Sequence, residues 1–341
     1  MEQKKMISIA TMKDVAQMAG VSTATVSRAL MNPEKVSAPT RLKVEQAATS
    51  VGYSPHSLVR NLKRNESHTI LVIVPNISDP FFVEVIKGIE ETAAGHGYLV
   101  LLGDSTQQNQ EKSFLNLILA KQVDGMVLLG SNLPFDASKD VQKNLPPMVM
   151  ANEFASELEL PTVHIDNLTA SFNAIHYLHQ LGHQRIACIC GPENMHLSQY
   201  RKQGYIQALQ RSGIAIEESY LFYGDFSYEA GAKGLSALMS LPQPPTAIFC
   251  HSDVMAIGAL SQAKKLGLNV PLDLSIIGFD NITLTQYSDP PLTTVAQPCY
   301  QIGQQAMLLL LKQLQGQAAQ IGSLLLESEL LIRGSTAAPR S

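Results

Sequence analysis

The sequence predicts a two-part molecule in which a small helical head precedes a larger α/β body built from two parallel sheets. Residues 1–65 combine short apolar stripes at helical spacing with an excess of basic residues. From Thr69 onward, short apolar runs alternate with amphipathic helical patterns, which is typical of parallel sheets covered by helices. The strand-like runs fall into two groups along the chain, so we expect the body to have two lobes.

Length and composition place the chain among globular proteins of more than one domain. It has 341 residues, of which 45% are hydrophobic and 16% charged. No run approaches the roughly 18 apolar residues of a membrane helix, and Met1–Thr11 lacks the apolar core of a signal peptide. A cytoplasmic location is therefore expected.

Charge is distributed unevenly between the two parts. Residues 1–65 contain ten lysines and arginines against four acidic residues, a net charge of +6. The remaining residues contain fifteen basic against twenty-five acidic groups, or −10, which gives the −4 of the whole chain. A basic head on an acidic body indicates a polyanionic partner for the head, and the alternative is a solvated charge run.

The head predicts three short helices around one core. A capping-box pattern at Thr11–Asp14 begins the first, Ser22 can cap the second, and the third runs from near Ser37 to Gly52. Three such helices fit a helix-turn-helix domain, whose second motif helix lies in the major groove of DNA. The alternative is an ordinary three-helix module with a polar surface.

The second predicted helix carries side chains suited to DNA. Short side chains allow a close approach to base edges, and an arginine one turn later can reach guanine or a phosphate. The candidate DNA-binding residues of the head are Thr11, Ser22, Thr23, Ala24, Thr25, Ser27, Arg28 and Asn32.

The linker at Ser54–Arg64 predicts a short hinge helix. Pro55 suits a first helical position, and Leu58 and Leu62 are spaced i, i+4. A helix this short is marginal alone, and the alternative is a flexible linker in which Leu62 packs on its own domain.

The segment Thr11–Pro33 resembles the head of the LacI/GalR family of repressors; it reads TMKDVAQMAGVSTATVSRALMNP. The resemblance covers nearly the whole chain, and Arg64–Pro75 and Pro146–Phe154 are most similar to a nucleoside-responsive member. It implies a transcriptional repressor without enzymatic activity. It also implies that the hinge helix orders on operator DNA, with Leu62 wedged into the minor groove and Lys63 contacting a phosphate or that groove.

The resemblance implies a domain organisation as well. The expected domains are 1–53 (helix-turn-helix), 54–66 (hinge helix) and 67–338 (effector-binding and dimerisation body, similar to periplasmic binding proteins). Lobe 1 is expected at about 67–167 and 298–323, and lobe 2 at about 168–296 and 325–338, with chain crossings near Asp166–Thr169, Thr294–Pro298 and Ser323–Leu326.

Ligands of parallel sheets bind beyond the carboxyl ends of the strands, so the cleft between the lobes is the expected effector site. Matching positions in the family imply the contacts Phe82, Asn152, Asp166, Arg201, Phe226, Asp253 and Asp280. Aromatic rings can stack on a base or sugar, and carboxylates can accept from vicinal hydroxyls. Alternatively, Phe82 belongs to a helix core, Asp253 caps its helix, and Asp166 braces a crossing.

The expected partners are operator DNA, a second copy of the chain, and a nucleoside. Cytidine as inducer at nucleoside uptake and catabolism genes, and joint action with the cAMP receptor protein, come from the resemblance alone. A sugar or purine is the alternative effector, but Met195 stands where a purine-binding relative has arginine. A homodimer would place two recognition helices about one DNA turn apart.

Other chemistry is not indicated. His176, His179 and His183 lack a fourth ligand, and Cys188, Cys190, Cys250 and Cys299 are interpreted as buried free thiols. No phosphate loop, dinucleotide fingerprint or nucleophile elbow is present, which disfavours an enzyme. A secreted nutrient-binding protein conflicts with the basic head, and neither a metal nor a cofactor is expected.

Overall fold

The computed structural model describes residues 10–53, 66–105, 111–130, 145–153, 160–317 and 322–340. The chain divides into two compact units, which we call the head (Met1–Ser67) and the body (His68–Ser341). Residues 54–65 of the expected hinge helix, with Leu62 and Lys63, lie outside the described residues. Within the described ranges, no helix is both long and apolar enough to cross a bilayer.

The described head contains three α-helices joined by tight turns. They are α1 (Met12–Ala19), α2 (Thr23–Met31) and α3 (Ala38–Val51), with a 3₁₀ turn at Pro33–Lys35. The backbone N–H of Thr11 donates to Asp14 Oδ2 at 2.7 Å, and the hydroxyl of Ser22 accepts from the N–H of Thr25 at 3.1 Å. These contacts satisfy N–H groups that the first turn of a helix leaves open, so both predicted caps begin their helices.

Small apolar side chains form the core of the head. The buried residues are Val15, Ala16, Val26, Ala29, Val44, Ala47, Ala48 and Tyr53. Only Val26 and Ala29 of α2 are among them, so the opposite side of this helix faces solvent. A helix-turn-helix needs this arrangement, because its second helix must present polar side chains outward.

Two parallel sheets form the body, one in each lobe. The strands of lobe 1 are β1 (Thr69–Val74), β2 (Leu99–Asp104), β3 (Gly125–Leu128), β4 (Met148–Ala151), β5 (Thr162–Ile165) and β11 (Leu324–Leu326). Those of lobe 2 are β6 (Ile186–Cys190), β7 (Leu221–Tyr223), β8 (Ala247–Cys250), β9 (Ser275–Asp280), β10 (Thr293–Ala296) and β12 (Glu329–Leu331). The sheet orders are β2-β1-β3-β4-β5-β11 and β7-β6-β8-β9-β10-β12, and only the β10–β12 pair is antiparallel among the described pairs.

Helices cover both sheets. They are α4 (Phe81–Gly95), α5 (Glu111–Leu119), α6 (Asn167–Gln180), α7 (His196–Arg211), α8 (Tyr228–Met239), α9 (Asp253–Lys265) and α10 (Cys299–Leu314). Helix α10 follows a strand of lobe 2 but packs on α4 and on strands of lobe 1. Alternation of strand and helix therefore predicted the fold class correctly.

The chain passes between the lobes where three strands end. The crossings follow β5 at Asp166, β10 near Gln297, and β11 near Glu327. The expected second crossing, near Thr294–Pro298, includes Gln297, and the expected third, near Ser323–Leu326, ends one residue before Glu327, although Thr294–Ala296 and Leu324–Leu326 themselves still pair as strand residues. Short edge strands next to a crossing leave little periodicity in the sequence, so their ends are hard to predict.

Candidate functional site

The candidate DNA-binding side chains of α2 lie on its outer side. Thr23, Ala24 and Arg28 are exposed, and Ser27 is half-buried. Among the described residues of the head, Arg28 makes no ion pair, whereas Arg41 on α3 lies 3.7 Å from Glu45. An arginine that is free of an acidic neighbour can approach a base edge or a phosphate without first breaking a contact.

The remaining head candidates also have structural roles. Thr11 begins α1, and the hydroxyls of Ser22 and Thr25 lie 2.9 Å apart at the start of α2. Asn32 ends α2, and its N–H donates to the carbonyl of Arg28 at 2.9 Å. These residues fix where the outer face of α2 begins and ends.

A cleft with a volume of about 480 Å³ lies between the lobes of the body. Five of the seven predicted effector residues line it: Phe82, Asn152, Arg201, Phe226 and Asp280. They lie at or just after the carboxyl ends of strands, in the loop before α8 and in the first two turns of helices, and they come from both lobes. The structure thus brings together residues that are up to about two hundred positions apart in the sequence, as expected at the switch point of parallel sheets.

The guanidinium of Arg201 is the most constrained group of the cleft. Its Nε donates to Asn167 Oδ1 at 2.8 Å, and its Nη1 donates to the carbonyl of His251. The group also lies 3.7 Å above the ring of Phe279. Burial lowers the pKa of Arg201, whereas the negative charge of nearby Asp280 raises it. The group stays protonated, because a guanidinium is not deprotonated in proteins. Its remaining N–H groups are positioned donors for a polar ligand.

Asp280 is the acidic partner of this arginine. Oδ1 lies 3.8 Å from Nη1 of Arg201 and accepts from Nε2 of Gln297 at 2.8 Å. Burial raises the pKa of Asp280 to about 7, while the Arg201 charge acts in the opposite direction. The carboxyl can therefore accept from ligand hydroxyls when ionised or donate to a ligand oxygen when protonated.

Three cleft residues have a left-handed backbone conformation. The φ angles are +69° at Asn152, +67° at Phe226 and +117° at Asp280. Non-glycine residues rarely adopt such angles, and those that do are concentrated at ligand sites. These backbone angles set the direction in which each side chain leaves the main chain.

Asp253 does not reach the cleft, which corrects the expectation that it contacts the effector. Its carboxylate is fully buried and accepts from the hydroxyl of Thr294 at 2.6 Å and from the N–H of Ile282 at 2.9 Å. The capping alternative is also wrong, since Ser252 caps α9 by accepting from the N–H of Met255 at 3.2 Å. Asp253 thus ties α9 to β9 and β10 beneath the site.

Asp166 is likewise outside the main cleft. It caps α6 by accepting from the N–H of Thr169 at 3.0 Å and from its hydroxyl at 2.6 Å. It lines an adjoining cavity of about 220 Å³ together with His164 and Tyr200. The geometry fits the alternative role of bracing the crossing, and an effector contact of Asp166 stays a prediction, because this cavity shares Asn152 with the cleft.

Sequence reasoning missed several polar residues of the cleft, among them Asp79 and Tyr228. Asp79 Oδ1 accepts from the N–H of Phe81 at 3.0 Å, and burial raises the pKa of this carboxyl. A polar residue in the loop after the first strand is a usable signal, because that loop lies at the carboxyl end of β1. Tyr228, at the first position of α8, had no such signal.

Two protein-family models match the chain. Residues 11–56 match "Bacterial regulatory proteins, lacI family", and residues 67–333 match "Periplasmic binding proteins and sugar binding domain of LacI family". The HTH-type transcriptional repressor CytR of Escherichia coli (strain K12) is 68% identical over 339 residues, which are 99% of each chain. Catabolite control protein A of Priestia megaterium is 38% identical, with 96% of this chain and 99% of that protein covered.

Among solved structures, the lac repressor dimer bound to operator and the anti-inducer ONPF is similar with a TM-score of 0.83. The sequence identity is 28%, and the match covers 97% of this chain and 100% of that one. The similarity therefore includes both the head and the two-lobed body.

Proposed function

The chain belongs to the LacI family of bacterial regulatory proteins and is a DNA-binding transcriptional repressor, and from this premise we propose that a nucleoside, cytidine, binds its cleft and releases it from operator DNA. The repressor assignment agrees with the expectation from the sequence and replaces the enzyme alternative. The effector, its contacts and the direction of its effect are the parts that we propose.

One observation carries the effector proposal: the cleft combines aromatic rings with a buried arginine–carboxyl pair. Phe82 and Phe226 offer apolar ring faces for a base, while Asp280 and Arg201 offer an acceptor and donors for ribose hydroxyls. The volume of about 480 Å³ lies within the usual range for small-molecule sites. A free sugar would use the polar groups but would leave more of the apolar wall uncovered.

Asn152 supplies a further contact in this proposal. Its side-chain oxygen is buried, and it has no hydrogen-bond partner among the described residues. A buried amide oxygen that lacks a hydrogen-bond partner costs about 1–3 kcal/mol of stability. A ligand with an N–H group at this position would therefore bind in preference to one without it. The amino group of cytosine is such a donor, whereas uracil presents a carbonyl oxygen there.

For the head, we propose that the outer face of α2 reads operator DNA. Thr23, Ala24, Ser27 and Arg28 would contact bases or phosphates, and Thr11, Ser22, Thr25 and Asn32 would contact the backbone near the ends of the helices. Three parts of the proposal rest on family resemblance. They are the DNA contacts of Leu62 and Lys63 in the hinge, the domain limits 1–53, 54–66 and 67–338, and joint action with the cAMP receptor protein.

A homodimer is part of the same proposal. Strand β2 lies at the edge of the lobe 1 sheet and exposes Leu99, Leu101 and Leu102, with Leu99 74% exposed. An apolar edge strand is a liability unless another surface covers it. A second copy packed at this edge would cover it and bring two heads to one pseudo-palindromic operator.

Calorimetry with the full-length protein tests the effector proposal. Cytidine, uridine, adenosine and ribose would be titrated in turn at one pH and salt concentration. We expect cytidine to bind at least tenfold more tightly than uridine, because a polar site rejects a ligand that leaves its groups unpaired. Preference for ribose alone, or no binding of any nucleoside, would contradict the proposal while leaving the repressor assignment intact.

A further inference from the structure

Lobe 2 contains a second cluster of chemically reactive groups, none of which is among the residues assigned to the effector. Strands β6 and β8 are adjacent and parallel, and Cys188 pairs with Phe249 in their register. Side chains two positions further along, Cys190 and His251, therefore lie on the same face of the sheet. One ligand atom from each of Cys188, Cys190 and His251 lies within 4.8 Å of the other two, and all three residues are buried.

These distances are close to those that a metal ion requires. Zn²⁺ binds thiolate sulfur at about 2.3 Å and imidazole nitrogen at about 2.0 Å, which separates neighbouring tetrahedral ligands by roughly 3.3 to 3.8 Å. The two sulfur atoms lie 3.5 Å apart, so they already have the separation of two ligands on one ion. Small side-chain rotations of His251 would complete the third contact.

Two further polar atoms in this corner of lobe 2 lack a protein partner. Nε2 of His251 and Oγ of Ser198 are buried, and neither has a hydrogen-bond partner within the described ranges. Ser198 and Cys190 both line a cavity of about 270 Å³. Unpaired buried polar atoms are uncommon in proteins, and a bound ion or water is one accepted reason for them. The cavity gives room for a water in a fourth coordination position.

We propose that Cys188, Cys190 and His251 bind one thiophilic metal ion of the Zn²⁺ class, with the fourth position open to this cavity. Thiolate and imidazole ligands favour such ions over Mg²⁺ or Ca²⁺. Two thiolates, a neutral imidazole and a divalent cation carry no net charge together, which is a requirement of a site buried in an apolar core.

One contact limits the affinity of the site. The N–H of Gly191 donates to Nδ1 of His251 at 3.1 Å, so the metal-free imidazole carries its proton on Nε2. Ligation therefore has to displace either that proton or the Gly191 contact. We expect binding weaker than at a closed structural zinc site, and folding that does not depend on the metal.

The site is connected to the effector cleft through His251. The carbonyl of this residue accepts from Nη1 of Arg201, which lines the cleft. An ion that fixes His251 would thus act on a residue that supports the arginine. The proposal does not depend on the nature of the effector, and its test measures metal alone.

The test is a titration of the full-length, tag-free repressor with Co²⁺ under reducing conditions, followed by absorption spectroscopy. We expect one equivalent to bind with a thiolate-to-cobalt charge-transfer band in the near ultraviolet, and Zn²⁺ to displace it. Cys190→Ala should remove the band and weaken cobalt binding by more than about 100-fold, since even loss of an outer contact costs 10–100-fold. His251→Gln should weaken binding and keep a weaker thiolate band.

Cys250→Ala is the matched control. Cys250 is an equally buried cysteine on β8, but it packs in the separate cluster on the other face of the sheet. This variant should bind cobalt as the parent protein does. Absence of a charge-transfer band in the parent, or its loss in Cys250→Ala with retention in Cys190→Ala, would overturn the proposal. Circular dichroism of each metal-free variant separates loss of the site from loss of folding.

Discussion

The head and the body present their candidate functional side chains in opposite ways. In the head, Thr23, Ala24 and Arg28 stand exposed on one short helix, and the core beneath consists of small apolar residues. In the body, Arg201 and Asp280 are only 2% and 5% exposed. A polymer such as DNA can be reached only by exposed groups, whereas a small ligand gains most from groups that burial has already oriented.

This difference predicts different consequences of substitution. Removal of an exposed head side chain should affect DNA binding and leave folding nearly unchanged. Removal of a buried cleft side chain should affect ligand binding and stability together, because its partners lose a contact that water cannot replace.

The largest expected effect is that of Arg201→Met. Asp280 would remain buried without its positive neighbour, and loss of one partner of a buried ion pair typically costs 3–5 kcal/mol. Urea denaturation followed by circular dichroism measures the loss, at a pH above 7 so that Asp280 is ionised in the parent protein. Arg340→Met is the control: this exposed arginine pairs with Asp273 at the surface, so its loss should cost at most about 1 kcal/mol. Equal costs for the two variants would contradict the distinction between buried and exposed sites.

DNA binding should respond next. Arg28→Ala is expected to weaken operator binding by about 1–3 kcal/mol, the usual contribution of a good base contact, without changing cytidine binding. Arg41→Ala provides a matched control on α3, where the side chain is paired with Glu45. Fluorescence anisotropy with labelled operator at one salt concentration measures both. If Arg41→Ala weakens operator binding more than Arg28→Ala does, the surface that contacts DNA bases is not the outer face of α2.

A pH dependence follows from Asp280. Its pKa is raised to about 7 in the folded body, against about 3.9 for an unperturbed aspartate. The folded state therefore holds a proton that the unfolded state releases, so this residue's contribution to stability is present below about pH 4 and is lost as the pH rises through 7.

The comparison of the parent protein with Asp280→Asn isolates this contribution. The variant should gain stability relative to the parent as the pH rises from about 4 to 7, with no further change above that range. Urea midpoints at closely spaced pH values measure the difference. A difference that stays constant, or that runs in the opposite direction, would show that the carboxyl is ionised throughout.

The smallest expected effect concerns the caps of the head. Ser22 accepts from the N–H of Thr25, whereas the side chain of Ser37, at the start of α3, makes no such capping bond. Ser22→Ala should cost about 1 kcal/mol, and Ser37→Ala clearly less. Amide hydrogen exchange in the head, followed as the temperature is raised, can measure the stability loss of each variant. Equal costs would mean that the Ser22 contact adds nothing to stability.

The head was the easier region to predict from the sequence. Its caps and glycines are local signals, and Thr11, Ser22, Gly20 and Gly52 begin and end helices as their chemistry requires. Local signals operate over three or four residues, so they survive without knowledge of the tertiary fold.

For the body, the sequence predicted the alternation of strands and helices well, but it predicted the residues of the cleft less well. The family match implied that Asp253 is a cleft residue, yet its carboxylate turns inward to Thr294 and Ile282. The direction of a side chain at a strand end depends on backbone angles that the neighbouring strands impose. Short edge strands such as Leu221–Tyr223 carry too few residues to show a period, and His251 joins Cys188 and Cys190 only through sheet pairing.

The central claim is that occupation of the body cleft changes the affinity of the head for operator DNA. It is tested most directly by operator titrations of the full-length protein with and without saturating cytidine, at fixed salt, on the parent and on Asp280→Asn. We predict that cytidine weakens operator binding of the parent by at least fivefold, the lower end of usual allosteric coupling, and leaves the variant unchanged. Identical operator affinity of the parent with and without bound cytidine would contradict the claim.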